Sequence, residues 1–209
     1  MEFKDVIKQR RAINFFDPNK DVTDAQLKQI IETAALAPSS SNLQAWNVIV
    51  LRDKEKKEKL KKVAFNQPKI TDAPVVLIVL GDREGFKKGN AGFEKAFAEA
   101  VKAGMSKQEQ YDGFANSTNS LYGISPERQV AFACKNAGFF AMSLMLAAKD
   151  AGLDSHPMDG FDIDGVRKAF NIPEHYWIPL LIAIGHFDKT KTLLPPKWRK
   201  RYDEIVINF

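Results

Sequence analysis

The chain has 209 residues, 44% of them hydrophobic and 27% charged, a balance that excludes a disordered chain and a collagen-like fibre. A single cysteine, Cys134, excludes a disulfide-stapled scaffold. The 31 Lys and Arg residues exceed the 26 Asp and Glu residues by five, and a net charge of +5 is too small to indicate nucleic-acid binding by itself.

The sequence also gives no sign of a membrane protein. Residues 1–5 lack the apolar stretch of a signal peptide. The longest apolar run, residues 137–148, is interrupted by Ser143 and is shorter than the ~20 apolar residues of a membrane span. We therefore expect a cytoplasmic protein without membrane contacts, folded as a single domain over residues 1–209.

The N-terminal part of the chain predicts three helices and two strands, and the third helix is a charged one at residues 52–62. Residues 3–10 place three apolar side chains and Arg10 on one face of a first helix, and a capping box at residues 23–26 begins a second helix that Pro38 ends. Residues 46–51 are typical of a short strand. Residues 74–80 are apolar throughout, as in a strand covered on both faces.

The C-terminal part continues this interleaving of helices and strands. Residues 131–148 predict a long helix that is apolar nearly all round, and is therefore buried in a core or a subunit interface. A short helix is expected at residues 163–170, a buried strand at 177–185, and a final strand at 205–209, where apolar residues alternate. The pattern predicts an α+β fold with helices packed on a small sheet.

Motifs that would place catalysis on side chains are absent. The sequence contains no G-x-S-x-G, H-E-x-x-H, C-x-x-C or phosphate-binding P-loop motif. His156, His175 and His186 are far apart without metal-ligand spacing, and we interpret each as an ordinary surface or core residue; Cys134 is interpreted as a small hydrophobe. We predict no metal site and no catalytic side chain, so that an enzymatic activity would depend on a bound cofactor.

Two cationic segments are candidates for an anion site. Arg10 lies on the predicted inward face of the first helix, where a guanidinium forms a salt bridge, extends to solvent or binds a phosphate. Residues 195–201 end in four basic residues out of five. They are interpreted as a solvated tail, a nucleic-acid patch, or a phosphate clamp shared with Arg10.

A third segment, residues 38–46, is a polar loop between a helix and a strand. Its hydroxyl and amide groups fit either ordinary turn chemistry or the lining of a site for a planar polar ligand. The aromatic residues of segment 85–122 likewise fit either ordinary packing or the cover of a pocket.

The order and spacing of four segments resemble the FMN-dependent nitroreductase family. These segments are RRAINFF at residues 10–16, PSSSNLQAW at 38–46, HPMDGF at 156–161 and IAIGH at 182–186. The resemblance implies a nitroreductase-like α+β fold, with helices around a small, mostly antiparallel sheet. It also implies an intertwined homodimer in which the long helix is central and residues 205–209 add a strand to the partner.

The resemblance further implies an oxidoreductase with FMN at each subunit interface. NADH or NADPH donates electrons, and a nitroaromatic or quinone-type acceptor receives two of them in a ping-pong cycle. Arg10 and Arg11 match the first phosphate-binding pair, and Lys197 and Arg199 match the late phosphate ligands. The loop at Pro38 matches one that approaches the flavin from the other subunit.

Further matches are Asn66, beside the flavin ring, and Asp159–Gly160, whose backbone meets the ring near its N5 atom. The full set of cofactor-binding residues implied in this way is Arg10, Arg11, Ala12, Asn14, Pro38, Ser39, Ser40, Asn42, Asn66, Pro157, Met158, Asp159, Gly160, Lys197 and Arg199.

Three residues depart from the family pattern. Ala12 replaces a Ser or Thr, Ala45 replaces a proline, and Asn14 replaces a Lys or Arg that would lie near the N1 and O2 edge of the flavin. We hypothesise that the missing cation makes the flavin harder to reduce or that Arg11 supplies the charge. The alternatives are other flavin chemistry on the same fold, an FMN-binding protein without nitroreductase turnover, and a basic interaction module.

Overall fold

A computed structural model describes residues 1–207 and confirms the α+β class. Its sheet is antiparallel, with four strands among the described residues in the order β1-β2-β4-β3. The strands are β1 (Trp46–Leu51), β2 (Val75–Asp82), β3 (Asp154–Met158) and β4 (Tyr176–Gly185). The three predicted strands before residue 200 are therefore confirmed within one or two residues, and β3 is an additional one.

The helices of the described chain surround this sheet. They are α1 (Phe3–Gln9), α2 (Asp24–Ala34), α3 (Lys54–Lys62), α4 (Lys69–Asp72), α5 (Ala91–Lys102), α6 (Tyr111–Tyr122), α7 (Pro126–Asp150), α8 (Ile163–Phe170) and α9 (Tyr202–Ile205). The predicted capping box of α2 is present: the Thr23 hydroxyl accepts from the Gln26 N–H, and the Gln26 side chain accepts from the Thr23 N–H.

The core lies on both faces of the sheet, because β2 is buried along its whole length. Val76 and Ile78 belong to a cluster on one face, which α3 and α8 complete. Val75 and Leu77 belong to the other cluster, which α2 and α7 complete. The continuous apolar run of β2 is thus explained by burial on both sides.

Helix α7 is the central helix of the fold and passes very close to β2. A Cβ added at Gly81 would lie 2.7 Å from the carbonyl oxygen of Ala133, so glycine permits this approach. By length and composition alone, α7 is long and apolar enough to cross a membrane, but ten of its residues are buried against the rest of the chain. Phe139 and Met142 remain exposed in the single chain, so the core alone does not bury this helix on all sides, and its burial in a subunit interface stays a prediction.

Two terminal predictions also need correction. In α1 only Val6 is buried, whereas Phe3 and Ile7 are exposed, so the predicted buried stripe does not form within one chain. Near the C-terminus, Ile205 ends a short helix instead of beginning a strand. The last part of the predicted strand, Asn208 and Phe209, lies outside the described residues.

The aromatic residues of segment 85–122 follow the packing alternative. Phe86 and Phe93 are fully buried. The Phe93 ring lies 5.1 Å from that of Phe114, and the Phe97 ring lies 5.1 Å from that of Tyr111. Phe86 and Phe93 belong to a third apolar cluster, against which Tyr111 and Phe114 pack.

Candidate functional site

A cleft of about 210 Å³ gathers cations from both ends of the chain. Four of its lining residues are cationic: Arg10 and Arg11 from the segment after α1, and Lys197 and Arg199 from the C-terminal segment. Ala12 and Asn14 line the same cleft. Six of the residues assigned to cofactor binding, separated by up to 189 positions in sequence, therefore meet at one place.

The backbone explains how these residues meet. Ala12 pairs with Ser155 as an isolated parallel bridge, and the Ile13 N–H donates to the Ser155 carbonyl at 3.2 Å, so the segment after α1 runs along β3. The Arg11 guanidinium donates to the Leu194 carbonyl at 2.7 Å. This contact ties the C-terminal segment to the N-terminal one and brings Lys197 into the cleft.

The electrostatics of the cleft favour an anion. Burial lowers the pKa of Arg10, and the nearby charges of Arg199 and Arg11 lower it further, although a guanidinium stays protonated. No Asp or Glu lines the cleft. Within residues 1–207, none of its four cations has a carboxylate at salt-bridge distance. A dianion bound here would relieve the mutual repulsion of these cations through charge-assisted hydrogen bonds.

The polar loop at Pro38 is anchored but does not line this cleft. The buried Asn136 side chain accepts from the Ser40 N–H at 2.8 Å, and the Ser39 hydroxyl accepts from the Gln44 N–H at 3.0 Å. The Ser40 Oγ is buried and has no hydrogen-bond partner among the described residues. None of Pro38, Ser39, Ser40 or Asn42 is a lining residue of the cleft within the single chain.

Backbone strain concentrates at two of the predicted cofactor segments. Ser41, Asn42 and Gln44 have φ of 51°, 55° and 46°, and Phe65 and Asn66 have φ of 52° and 53°. Such left-handed conformations in residues other than glycine persist where the surroundings enforce them, commonly at functional sites. A remaining example among the described residues, Asn171, is the C-cap of α8.

The second strained segment is linked to the turn after β3. The Gln67 side-chain amide donates to the Gly160 carbonyl at 2.7 Å, which holds the segment of Asn66 beside Asp159 and Gly160. The N–H groups of Asp159 and Gly160 make no hydrogen bond among the described residues. Pro157 and Met158 form the end of β3 that leads into this turn. The structure thus brings these five predicted residues into one neighbourhood.

Two residues of this region were not predicted from the sequence. His156 was interpreted as an ordinary residue, yet it lines the cleft. Lys69 is half-buried, donates to the Gln67 side chain at 3.1 Å, and is close enough to His156 to lower the pKa of that imidazole. Their positions in the sequence could have indicated both residues, because His156 directly precedes Pro157 and Lys69 follows Asn66 by three residues.

No group of three or more His, Cys, Asp or Glu side chains suited to a metal ion occurs in the part of the chain that the structure describes. The cleft itself has the donor set of an anion site, built from guanidinium, ammonium and amide groups.

Comparisons with known proteins show the family of the chain. The sequence profile of the nitroreductase family matches residues 7–186. MhqN of Bacillus subtilis strain 168, provisionally named an NAD(P)H nitroreductase, is 34% identical over 206 residues, which cover 98% of each chain.

Two solved structures share the fold. The Bacillus subtilis protein ydfN, provisionally described as a nitroreductase, is similar with a TM-score of 0.90 and 32% identity, covering 100% of this chain and 99% of that one. A provisionally described nitroreductase from Exiguobacterium sibiricum, solved in complex with FMN, is similar with a TM-score of 0.84 and 29% identity. That match covers 99% of this chain and 96% of the other.

Proposed function

The chain belongs to the nitroreductase family, and from this premise we propose that it is an FMN-dependent NAD(P)H oxidoreductase that reduces nitroaromatic or quinone-type acceptors by two electrons. The observation that carries the proposal is the convergence of Arg10, Arg11, Lys197 and Arg199 in one cleft without a carboxylate. A phosphate monoester such as that of FMN matches this donor set in charge and geometry.

The remaining residues also fit FMN. A flavin ring needs hydrogen-bond donors, and the N–H groups of Asp159 and Gly160 are available for it. The side chains of Asn14 and Asn66 are also available, because they have no hydrogen-bond partner among the described residues. The buried, unpartnered Ser40 Oγ is a further polar group that lacks its ligand within the single chain. When bound, FMN supplies the hydride-accepting and hydride-donating chemistry, which no side chain of the cleft provides.

The protein's own contribution is binding, orientation and electrostatics. Arg10 and Arg199 hold the phosphate, and Gln67 fixes the turn that presents the Asp159 and Gly160 N–H groups. Lys69 adds positive charge near the ring, where negative charge develops on reduction. Because NAD(P)H and the acceptor use the same exposed site in turn, we expect ping-pong kinetics with parallel double-reciprocal lines.

We also propose a homodimer, which would bring the Pro38 loop of one subunit to the cleft of the other. A groove of about 440 Å³ runs between α1, α2 and α7, and is lined by Phe3, Leu36, Pro38 and Leu146. Phe3 is 69% and Leu36 is 85% exposed, which is unusual for a contiguous apolar surface of a monomer. The groove includes Pro38, so a second copy seated here would lie directly beside the loop.

The C-terminal segment supports the same assembly. Its apolar side chains Leu194, Trp198, Tyr202 and Ile205 are all more than half exposed in the single chain. We propose that this segment lies on the partner, and that the residues after α9 add a strand there. We also propose that residues 1–209 form one domain and that the protein is cytoplasmic.

The experiment that tests the phosphate cleft is a titration of the apoprotein with FMN and with riboflavin, which lacks the phosphate. Loss of one charge-assisted hydrogen bond costs about 1.5–3 kcal/mol, so Arg199→Gln should weaken FMN binding by roughly 10- to 150-fold. Riboflavin binding should not change. Lys200→Gln, which removes an exposed neighbouring charge that does not line the cleft, is the matched control.

Three results would redirect the proposal. Equal affinities of the wild-type protein for FMN and riboflavin would contradict the assignment of the FMN phosphate to the cleft. Tight FMN binding without NAD(P)H oxidation would favour an FMN-binding protein or other flavin chemistry. A light-scattering mass of 23.5 kDa, instead of twice that value, would contradict the homodimer.

A further inference from the structure

His156 occupies a position in the cleft that the phosphate ligands do not explain. It lies in β3, directly before the cofactor-binding segment that starts at Pro157, and its half-buried ring lines the cleft. It is close enough to Lys69 and Lys197 for both charges to affect its ionisation. The ring therefore lies near Lys197, one of the phosphate-binding cations, and near Lys69, which contacts the Gln67 side chain beside Asn66.

The hydrogen bond of the imidazole fixes its tautomer. Nδ1 lies 2.7 Å from the Ile13 carbonyl oxygen, which can only accept, so Nδ1 carries the proton. Burial lowers the pKa of His156, and the charges of Lys69 and Lys197 lower it further, so the ring is neutral at pH 7. Its other nitrogen, Nε2, is then an acceptor, and it has no partner among the described residues.

Side-chain acceptors are few in this cleft. Its four cations have only donors to offer, whereas Asn14 and Thr192 can both donate and accept. These donors suit the phosphate of FMN. The ribityl chain between phosphate and ring instead carries hydroxyl groups, and each hydroxyl proton needs an acceptor when water is excluded.

We infer that His156 is a cofactor-binding residue whose neutral Nε2 accepts a hydrogen bond from a ribityl hydroxyl of FMN. The inference rests on the proposed binding of FMN in this cleft. It assigns the imidazole to the sugar-alcohol part of the cofactor, separately from the cations that hold the phosphate.

Two substitutions separate the two nitrogens of the ring. The amide nitrogen of Asn is as many bonds from Cα as Nδ1 is, so His156→Asn can keep the Ile13 contact and lacks an atom at the Nε2 position. The terminal oxygen of Gln is as many bonds from Cα as Nε2 is, so His156→Gln restores an acceptor there. We therefore expect Asn to weaken binding and Gln to recover much of it.

The test is a set of fluorescence titrations of the apoprotein with FMN, riboflavin and lumiflavin, which has the flavin ring without a ribityl chain. A neutral hydrogen bond corresponds to about a 5-fold change in Kd. His156→Asn should raise the Kd of FMN and riboflavin by this factor and leave that of lumiflavin unchanged. Arg199→Gln serves as the contrast, because it should affect FMN alone.

Other outcomes would overturn the inference without touching the proposed function. If His156→Asn weakens the binding of FMN but not that of riboflavin, the imidazole contacts the phosphate. If His156→Asn binds FMN as tightly as the wild-type protein does, His156 does not contact the ribityl chain. The same conclusion holds if the substitution raises the Kd of lumiflavin as much as that of FMN. A structure of the FMN complex with Nε2 more than about 3.5 Å from every ribityl oxygen would also refute it. Failure of the wild-type protein to bind FMN would instead refute the proposed function.

Discussion

The buried side chain of Asn136 provides the strongest test of how the core supports the site. Asn136 is fully buried in α7, where its Oδ1 accepts from the Ser40 N–H at 2.8 Å and its Nδ2 donates to the Phe132 carbonyl at 2.7 Å. It is the only described side chain that accepts a hydrogen bond from the backbone of Ser40. Asn136→Leu keeps the branching at Cγ and removes this anchor.

The magnitude follows from the hydrogen bond that is lost. The Phe132 carbonyl keeps its place in the helix, but the Ser40 N–H becomes unsatisfied in a partly buried site, at a cost of about 1–3 kcal/mol. In a chain of this size, each kcal/mol lowers Tm by roughly 2–4 °C, so the expected decrease is about 5 °C. The affinity for FMN should fall as well, because the left-handed conformations of Ser41 and Asn42 depend on this anchored loop.

The assay is thermal unfolding of the apoprotein at fixed concentration, followed by an FMN titration of the folded variant. Gln129→Ala is the matched control, since it removes a polar side chain from the same helix that makes no hydrogen bond among the described residues and does not line the groove proposed for the partner. The reasoning would be refuted if Asn136→Leu matched Gln129→Ala in both Tm and Kd. A loss of stability with unchanged FMN affinity would show that the loop does not reach the cofactor.

Three other predictions concern charge. Asn14→Lys should raise the midpoint potential of the bound flavin by on the order of 30 mV, equivalent to ~1.4 kcal/mol for a two-electron couple, whereas Asn14→Gln should not; spectroelectrochemistry measures both. Burial and nearby cations lower the pKa of His156. The folded apoprotein therefore binds fewer protons than the unfolded chain as pH falls through ~6.5, and its stability decreases there. His156→Asn should flatten this part of the stability profile, as measured by denaturation over a pH series. The hydrogen bond to Glu94 raises the pKa of Tyr111 to about 12, and Glu94→Gln should return its ultraviolet titration towards ~10.

Elements with strong local signals could be predicted from the sequence. The apolar run of β2 led to the right strand within two residues, and the capping box at Thr23 led to the right start of α2, which ends at Ala34 instead of extending to Pro38. Each of these signals results from a constraint that acts along the chain itself: burial on both faces for β2 and local hydrogen bonds for α2.

Strand β3 could not be predicted because its sequence argues against a strand. Pro157 has no N–H to donate to a ladder, and the residue stands opposite Ile182 of β4. The order β1-β2-β4-β3 places β3 at an edge of the sheet, where proline is tolerated. The importance of His156 was missed for the same reason, since its role depends on the strand that carries it.

The terminal segments show a second limit of the sequence pattern. Phe3 and Ile7 have helical spacing and were expected to be buried, but they lie exposed on the outer face of α1. A periodic apolar pattern indicates that a face is covered without indicating by which chain. The same holds for the alternation at Ile205 and Ile207, because a strand there needs an edge to pair with.

The cation cleft was anticipated in composition but not in geometry. Arg10 and residues 195–201 were candidates for one phosphate clamp, and the structure brings Arg10, Lys197 and Arg199 to the same cleft. Lys69 could not be singled out, because one lysine among many carries no local signal. Its significance arises from the contact between Gln67 and Gly160, which joins two segments 93 residues apart.

The most direct test of the central claim is an anaerobic visible spectrum of the purified protein, recorded before and after addition of NADH and then of NADPH. We predict a yellow protein, or a colourless one that takes up added FMN, whose flavin absorption bleaches with at least one nucleotide and returns when a quinone or nitroaromatic is added. A protein that holds FMN and does not bleach would contradict the proposed reduction. A colourless protein that does not bind added FMN would contradict the assignment of the cation cleft itself.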